Sequence, residues 1–357
     1  MIYDFILVGH GLAGGILART LSEQGYKLAV FDTFKANSAS RVAAGLINPL
    51  AGKRFAKSWL AEKLVPFAIA FYQQIEKEFN VKIWQPLPIF KFFSSVEEQN
   101  TWMGKSSNPA IQEFIKQVHL RLPFSESINQ DFGAIEIAQS GYVDVNKFLD
   151  CLLVALAQSH LLIQEFFEFS RLNLNADFIT YKQDNNTITA RKIVFCEGFQ
   201  AINNPYFSWL PFSLNKGEVL DIKVDNLPAE CIYNKAVYVL PFGTDGFKVG
   251  ATYNWREINE QPSAEALTEL TERAGQILKK RFVVTKQAAG IRPAVKDRRP
   301  LMGWHPVHHQ IGIFNGMGSK GVMMAPYLAH NFVANLQGAK LEPEADISRF
   351  LKYFTGI

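Results

Sequence analysis

The first 32 residues restrict this chain to a narrow set of folds. Tyr3 to Val8 is a short apolar run that reads as a strand. It leads straight into Gly9-His10-Gly11-Leu12-Ala13-Gly14-Gly15. A helical pattern follows to Gln24, with Ile16, Leu17 and Leu21 on one face and Gly25 as its stop. Lys27 to Phe31 is a second strand, ended by Asp32. Strand, glycine turn, helix, strand and acid, in that order, are the context that a dinucleotide-binding unit requires. Gly9 permits the tight turn, Gly11 lets backbone N–H groups approach a pyrophosphate, and Gly14 lets helix and strand pack closely. The positive end of the helix dipole then faces the phosphates. Asp32, 18 residues beyond Gly14, is placed to accept hydrogen bonds from ribose hydroxyls. A glycine turn of pure packing value would leave the second strand and its acid as coincidence.

The rest of the chain supports a large α/β unit with insertions. Its 357 residues are 48% hydrophobic and 20% charged, enough apolar surface for a full core. A net charge of +4 permits an anionic ligand but is too weak to imply nucleic acid. Cys151, Cys196 and Cys231 form neither a disulfide framework nor a metal knuckle, so a reducing, cytoplasmic setting is expected. The run Ile2 to Val8 contains Asp4 and reads as a structural strand, not a signal peptide. Gly321 to Ala339 lacks acidic and basic residues but holds Pro326, His330, Asn331, Asn335 and Gln337, which suits a buried helix better than a membrane span.

Further along, Trp59 to Phe79 reads as a helix kinked near Pro66, and Asn146 to Ser159 as a second helix. Ile83 to Ser94, Gly133 to Val143, Phe178 to Tyr181 and Ile188 to Phe195 read as strands. The last stops at Cys196-Glu197-Gly198 and suggests a return to the first parallel sheet. From Lys216 the pattern turns to antiparallel strands, Glu218 to Val224, Ala236 to Leu240 and Phe247 to Thr252, with Gly243 to Gly246 as a hairpin turn. Ser263 to Phe282 reads as one amphipathic helix.

A second glycine loop lies near the C-terminus. Gly290-Ile291-Arg292-Pro293 is followed by the strand Ile311 to Phe314, then Asn315-Gly316-Met317-Gly318-Ser319-Lys320-Gly321, then a helix from Val322 to Leu336. A helix N-terminus there offers donors to something electron-rich. A nicotinamide has no obvious need for it, whereas a reduced flavin carries negative charge that it would stabilise.

The order of these motifs, with Ser40-Arg41-Val42-Ala43-Ala44-Gly45, resembles the D-amino acid oxidase superfamily of FAD enzymes over essentially the whole chain. The likeness is to glycine and sarcosine oxidases, and to the FAD domain of a tRNA enzyme that removes a carboxymethyl group from a modified wobble uridine. The resemblance implies an α/β fold: a Rossmann-like FAD-binding domain built from residues 1–80, 141–205 and 285–357. A largely antiparallel β-sheet substrate domain would comprise residues 81–140 and 206–284. It implies that non-covalent FAD is held by Gly9, Gly11, Gly14, Asp32, Ser40, Arg41, Gly45, Gly198, Gly316, Gly318, Ser319, Lys320 and Gly321. Arg292 takes the position of the arginine that binds the substrate carboxylate, and Tyr238 that of an assisting tyrosine. Lys248 takes the place of a lysine that promotes reaction with oxygen, although glycine oxidases can lack it. Ser319 replaces an arginine of glycine oxidases, which puts glycine itself in question as substrate.

The expected reaction is oxidation of the C–N bond of a small carboxylated amine by hydride transfer to flavin N5, giving an imine. Oxygen or another acceptor would take the electrons. A tRNA substrate is possible but not favoured, and a non-enzymatic or quinone-coupled flavoprotein is the third reading. His305, His308 and His309 resemble a metal tract, but their spacing and the lack of acids suit a solvated loop.

Overall fold

The computed structural model describes residues 1–35, 37–51, 56–122 and 126–355. The chain divides into two compact units. One comprises Met1–Arg41, Val145–Asn215 and Ile291–Ile357, the other Val42–Asp144 and Lys216–Gly290.

The first unit is built on a sheet whose core strands are parallel. Ile2–Val8 pairs in parallel with Leu28–Phe31 on one side and Thr187–Phe195 on the other. Leu161–Ile163 and Ile311–Asn315 extend the parallel set. Leu28–Phe31 and Leu161–Ile163 are unbroken apolar runs, as suits a parallel sheet covered by helices on both faces. Thr187–Phe195 also pairs antiparallel with Ile179–Lys182 at its start, so one long strand serves two neighbours along one edge. The core of this unit joins Ile6, Val8, Phe31, Ile193, Phe195, Phe207 and Ile313. The helix Gly321–Asn335 is the uncharged segment of the sequence, and most of its side chains are buried. Among the described residues no helix is long and apolar enough to cross a membrane.

The second unit carries an eight-stranded sheet. Its order is Phe282–Arg292, Asn215–Val224, Gly246–Gly250, Tyr238–Phe242, Ile232–Asn234, Ile89–Phe92, Ala134–Ile137 and Ile115–His119. One face packs Leu220, Ile222, Val239, Phe247 and Val249 against Leu270, Ala274 and Ile277 of the following helix and turn. That helix, Ala264–Gly275, is anchored at its start. Ser263 Oγ accepts from Ala266 N and donates to Glu218 Oε1 at 2.7 Å. Glu218 is buried, with Lys216 Nζ 3.2 Å from Oε1 and Gln287 Nε2 donating to Oε2. Ser263→Ala removes the cap and one partner of this buried carboxylate. We expect a loss of about 1–2 kcal/mol in stability, read as a lower urea midpoint.

The units divide differently from the sequence expectation. Residues 42–80, 141–144 and 285–290, expected in the cofactor domain, belong to the second unit. Leu46–Ile47 pairs with Gly141–Val143, which pairs with Trp84–Pro86. Glu76 of the helix Ala61–Phe79 accepts from Ile83 N and Trp84 N. Conversely, residues 206–215 belong to the first unit. Phe207 and Leu210 lie in its core, and Ser213 N donates to Ala294 O at 2.7 Å.

Several elements also differ. The helix starting at Ala264 ends at Gly275, not Phe282, because Ile277 and Leu278 turn into the core and Phe282 opens a strand. Ile83 to Ser94 is two strands in two sheets, parted at Leu87-Pro88. Gly133 to Val143 is likewise two strands. Ala61–Phe79 continues through Pro66, which costs the helix the hydrogen bond to the Glu62 carbonyl.

Candidate cofactor and substrate sites

The first unit places its glycine turn at the carboxyl end of Ile2–Val8, flanked by Leu28–Phe31 and Thr187–Phe195. Ligands of open α/β sheets bind at such a crevice. Gly9 adopts φ +101°, and its α-carbon presses on the Cys196 carbonyl; a Cβ there would collide with backbone. A Cβ on Gly14 would strike the Gly9 carbonyl, so the helix Leu12–Glu23 closes onto the strand only with glycine at that place. Ser40 Oγ accepts from Leu12 N at 2.9 Å and lies beside Gly11. The Gly11 N-cap itself has no side-chain hydrogen bond.

Asp32 is fixed by the backbone around it. Oδ1 accepts from Phe34 N at 2.5 Å and Oδ2 from His10 N. An ionised carboxylate has about four acceptor positions, so capacity remains for ribose hydroxyls. His10 is buried, its Nε2 has no hydrogen-bond partner, and burial lowers its pKa to about 4 against the opposing pull of Asp32.

The second glycine loop begins the helix Gly321–Asn335 in the same unit. Gly316 and Gly318 have φ +74° and +55°, and Ser319 is exposed. Gly321 packs on the Leu12 side chain, so the two helices meet at their N-terminal ends, and in neither does the N-cap residue's own side chain cap the helix. Two helix N-termini brought together suit an extended anionic cofactor. Lys320 is the N-cap residue, and burial lowers its pKa to about 8, with the Arg299 charge adding to the shift. Asn315, which sequence reasoning missed, ties the loops together. Its Nδ2 donates to Gly198 O at 3.0 Å and its Oδ1 accepts from Gly316 N at 2.7 Å. An asparagine directly before a glycine loop was the available signal.

Other candidates have structural partners. Arg41 Nη2 bonds Asp150 at 2.7 Å, and its carbonyl accepts from Asn146. Gly45 lies in the second unit, its α-carbon against the Val143 carbonyl. Arg292 ends the strand Phe282–Arg292 rather than standing on a turn, and Nη1 donates to Asn215 Oδ1 at 2.8 Å.

Tyr238 and Lys248 belong to the second unit and share one sheet face. Tyr238 pairs with Gly250 and Leu240 with Lys248, while Val239 and Val249 point to the core on the other face. Tyr238 lies across Gly250, where a Cβ would collide with its ring. Lys248 is nearly buried, and Nζ bonds Asp221 at 2.6 Å and lies 4.6 Å from the Phe242 ring centre. The expected solvated histidine loop is corrected in part. His305 is buried, stacks on His308 at 5.0 Å, and accepts from His308 N. Among the described residues no cluster of three His, Cys, Asp or Glu side chains could hold a metal.

A parallel sheet with two glycine loops, two adjoining helix N-termini and a fixed acid at the end of the second strand defines a dinucleotide-dependent α/β enzyme. The family model of FAD dependent oxidoreductases (DAO) matches residues 4–335, and the chain belongs to this family. It is 23% identical over 349 residues to glycine oxidase of Bacillus subtilis, covering 91% of this chain and 90% of that one. It is 23% identical to the bifunctional tRNA 5-methylaminomethyl-2-thiouridine biosynthesis protein MnmC of Marinobacter nauticus, over 91% of this chain and 54% of that one. Among solved structures, iminodiacetate oxidase from Chelativorans superposes with a TM-score of 0.81, at 19% identity over 97% of this chain and 98% of that one. Glycine oxidase from Geobacillus kaustophilus gives 0.79, at 20% identity over 98% and 97%. The chain is thus an FAD-dependent oxidoreductase of mixed α/β fold.

Proposed function

We propose that the chain oxidises the C–N bond of a small carboxylated amine: glycine, an N-substituted glycine or a D-amino acid. The observation that carries this is Arg292. Its Nη1 donates to the neutral amide of Asn215, a bond that helps to fix the fork. A planar fork so held matches a carboxylate bidentately. When bound, FAD would supply the hydride acceptor for the carbon bearing nitrogen, and the resulting imine would be hydrolysed by water. The chain's own contribution is orientation. Arg292 holds the carboxylate, and Tyr238 supplies a phenol donor to the same class of ligand. Gly9, Gly11, Gly14, Asp32, Ser40, Gly198 and the loop Gly316 to Gly321 hold the cofactor without a covalent bond, so acid or heat releases it. Arg41 and Gly45 contribute through the packing of their neighbours.

The test is anaerobic bleaching of the bound flavin by glycine, sarcosine, iminodiacetate, D-amino acids and undermodified tRNA. Bleaching by carboxylated amines at millimolar concentration supports the reading, and bleaching by tRNA alone replaces it with the second one. That second reading rests on the likeness to the tRNA-modifying protein.

Lys248 is proposed to speed electron transfer to oxygen. Its ammonium is fixed on the Tyr238 face by Asp221. Lys248→Met should slow reoxidation by oxygen at least about tenfold while amine-driven reduction stays near wild type. Equal slowing of both half-reactions would remove Lys248 from the oxygen step.

A further inference from the structure

Glu197 is a carboxyl group in the crevice proposed for the dinucleotide. It lies two residues beyond the strand Thr187–Phe195, and its backbone N is among the atoms that a Cβ on Gly9 would meet. Cys196 N donates to Val8 O at 2.7 Å, so this segment forms one wall of the crevice at the carboxyl ends of the two strands. Its successor Gly198 is tied through Asn315 to the second glycine loop. Asn204, fully buried, donates from Nδ2 to Glu197 Oε2 at 2.7 Å. Among the described residues Glu197 makes no ion pair. Its two nearest polar neighbours are uncharged: the Cys196 thiol, which burial keeps neutral, and the Asn204 amide. Asp32, across that turn from Glu197, adds a further negative charge to the crevice.

We propose that Glu197 is a cofactor-positioning residue that works as a neutral carboxylic acid, its proton on Oε1 and available to the anionic dinucleotide in this crevice. Burial already raises its pKa to about 7, with only the Asn204 bond acting against the shift. An entering diphosphate repels the carboxylate and raises it further. Cofactor binding above neutrality is then coupled to uptake of a proton, and affinity falls as pH rises past 7, approaching tenfold per unit above pH 8. The proposal rests on the FAD assignment and concerns retention, not turnover.

The experiment dilutes the yellow holoprotein serially and reads released FAD by fluorescence between pH 6 and 8.5. For the wild type the dissociation constant should rise about 15-fold from pH 7 to 8.5, because the free carboxyl is already half ionised at pH 7. Glu197→Gln keeps the Asn204 bond and the donor but cannot ionise. Its dissociation constant should be flat to pH 8 and lower than that of the wild type at 8.5. Lys320 titrates in the same range, so Lys320→Met is run beside it and should retain the slope between pH 7 and 8. A flat wild-type profile, or an unchanged slope in Glu197→Gln, overturns the proposal. So does affinity that rises with pH, which would make Glu197 an ionised acceptor. If Glu197→Gln does not accumulate, calorimetry of FAD rebinding to the wild type in buffers of different ionisation heat decides. Close to one proton taken up at pH 8 supports the proposal, and none overturns it. Absence of FAD at every pH would instead overturn the cofactor assignment.

Discussion

Arg292→Ala should lower the bimolecular rate of flavin reduction by a carboxylated amine about 30-fold or more, with flavin content unchanged. The reasoning starts from what the contact supplies. A guanidinium that holds a carboxylate provides both binding and alignment of the reacting carbon, so its loss falls on the ratio kcat/KM. Truncating one side of a buried charged pair costs about 2–5 kcal/mol, which sets the 30-fold lower bound. Asn215, which is buried, also loses a donor, so part of the effect is a local rearrangement. Arg292→Lys separates the two contributions: it keeps the charge but loses the fork, and should rescue only part of the rate. The double variant with Tyr238→Phe tests whether both residues act on one carboxylate. Coupling of about 1 kcal/mol or more indicates that they do, and strict additivity assigns Tyr238 another role. Reduction of Arg292→Ala at the wild-type rate would remove the carboxylate assignment, and loss of its FAD would make Arg292 structural.

The parts of this molecule legible in the sequence are those where backbone geometry dictates residue type. Gly9 and Gly14 stand where a Cβ would strike a carbonyl, so their spacing announced the turn. Asp32 stood out because it closes a strand at the required distance, and the structure shows it fixed by two backbone donors. The uncharged helix Gly321–Asn335 was legible because burial excludes charge. What failed was the extent of elements whose limits are set by distant partners. Helix periodicity beyond Gly275 continues to Phe282 on paper, but Lys279 N bonds Ser127 O and Asn129 N bonds Ile277 O, contacts across 152 and 148 residues that no local pattern records. The division at Arg41 escaped for the same reason: Leu46–Ile47 finds its partner at Gly141–Val143. Lys248 illustrates a third limit. A hairpin lysine is usually solvated, and only the register with Asp221 on the neighbouring strand shows it paired and nearly buried.

Asp32→Ala should weaken FAD retention by about 100-fold or more while leaving the fold intact. Its carboxylate is held by His10 N and Phe34 N, and its remaining acceptor positions suit two ribose hydroxyls. Hydrogen bonds to a charged acceptor contribute about 1.5–3 kcal/mol each, so losing two exceeds the 2.7 kcal/mol that corresponds to 100-fold. The strands on either side do not depend on it: Ile6, Leu7, Val30 and Phe31 are fully buried in their own contacts. The protein should therefore purify folded but pale, with an unfolding midpoint lowered mainly by loss of bound cofactor. Saturating FAD should restore both colour and midpoint, because the defect is in affinity and not in the shape of the crevice. Asp32→Asn is the sharper variant. It keeps the volume, but its amide nitrogen would face a backbone donor, so it should retain FAD less well than the wild type and no better than about tenfold above Asp32→Ala. The charge of Asp32 pulls the His10 pKa upward while burial and Arg41 pull it down, so its removal drives His10 still lower and leaves it neutral at pH 7. No compensating charge therefore appears in the turn. If Asp32→Ala held FAD as tightly as the wild type, the acid would be a brace for the His10 and Phe34 backbone alone, and the ribose would have to be held elsewhere in the crevice.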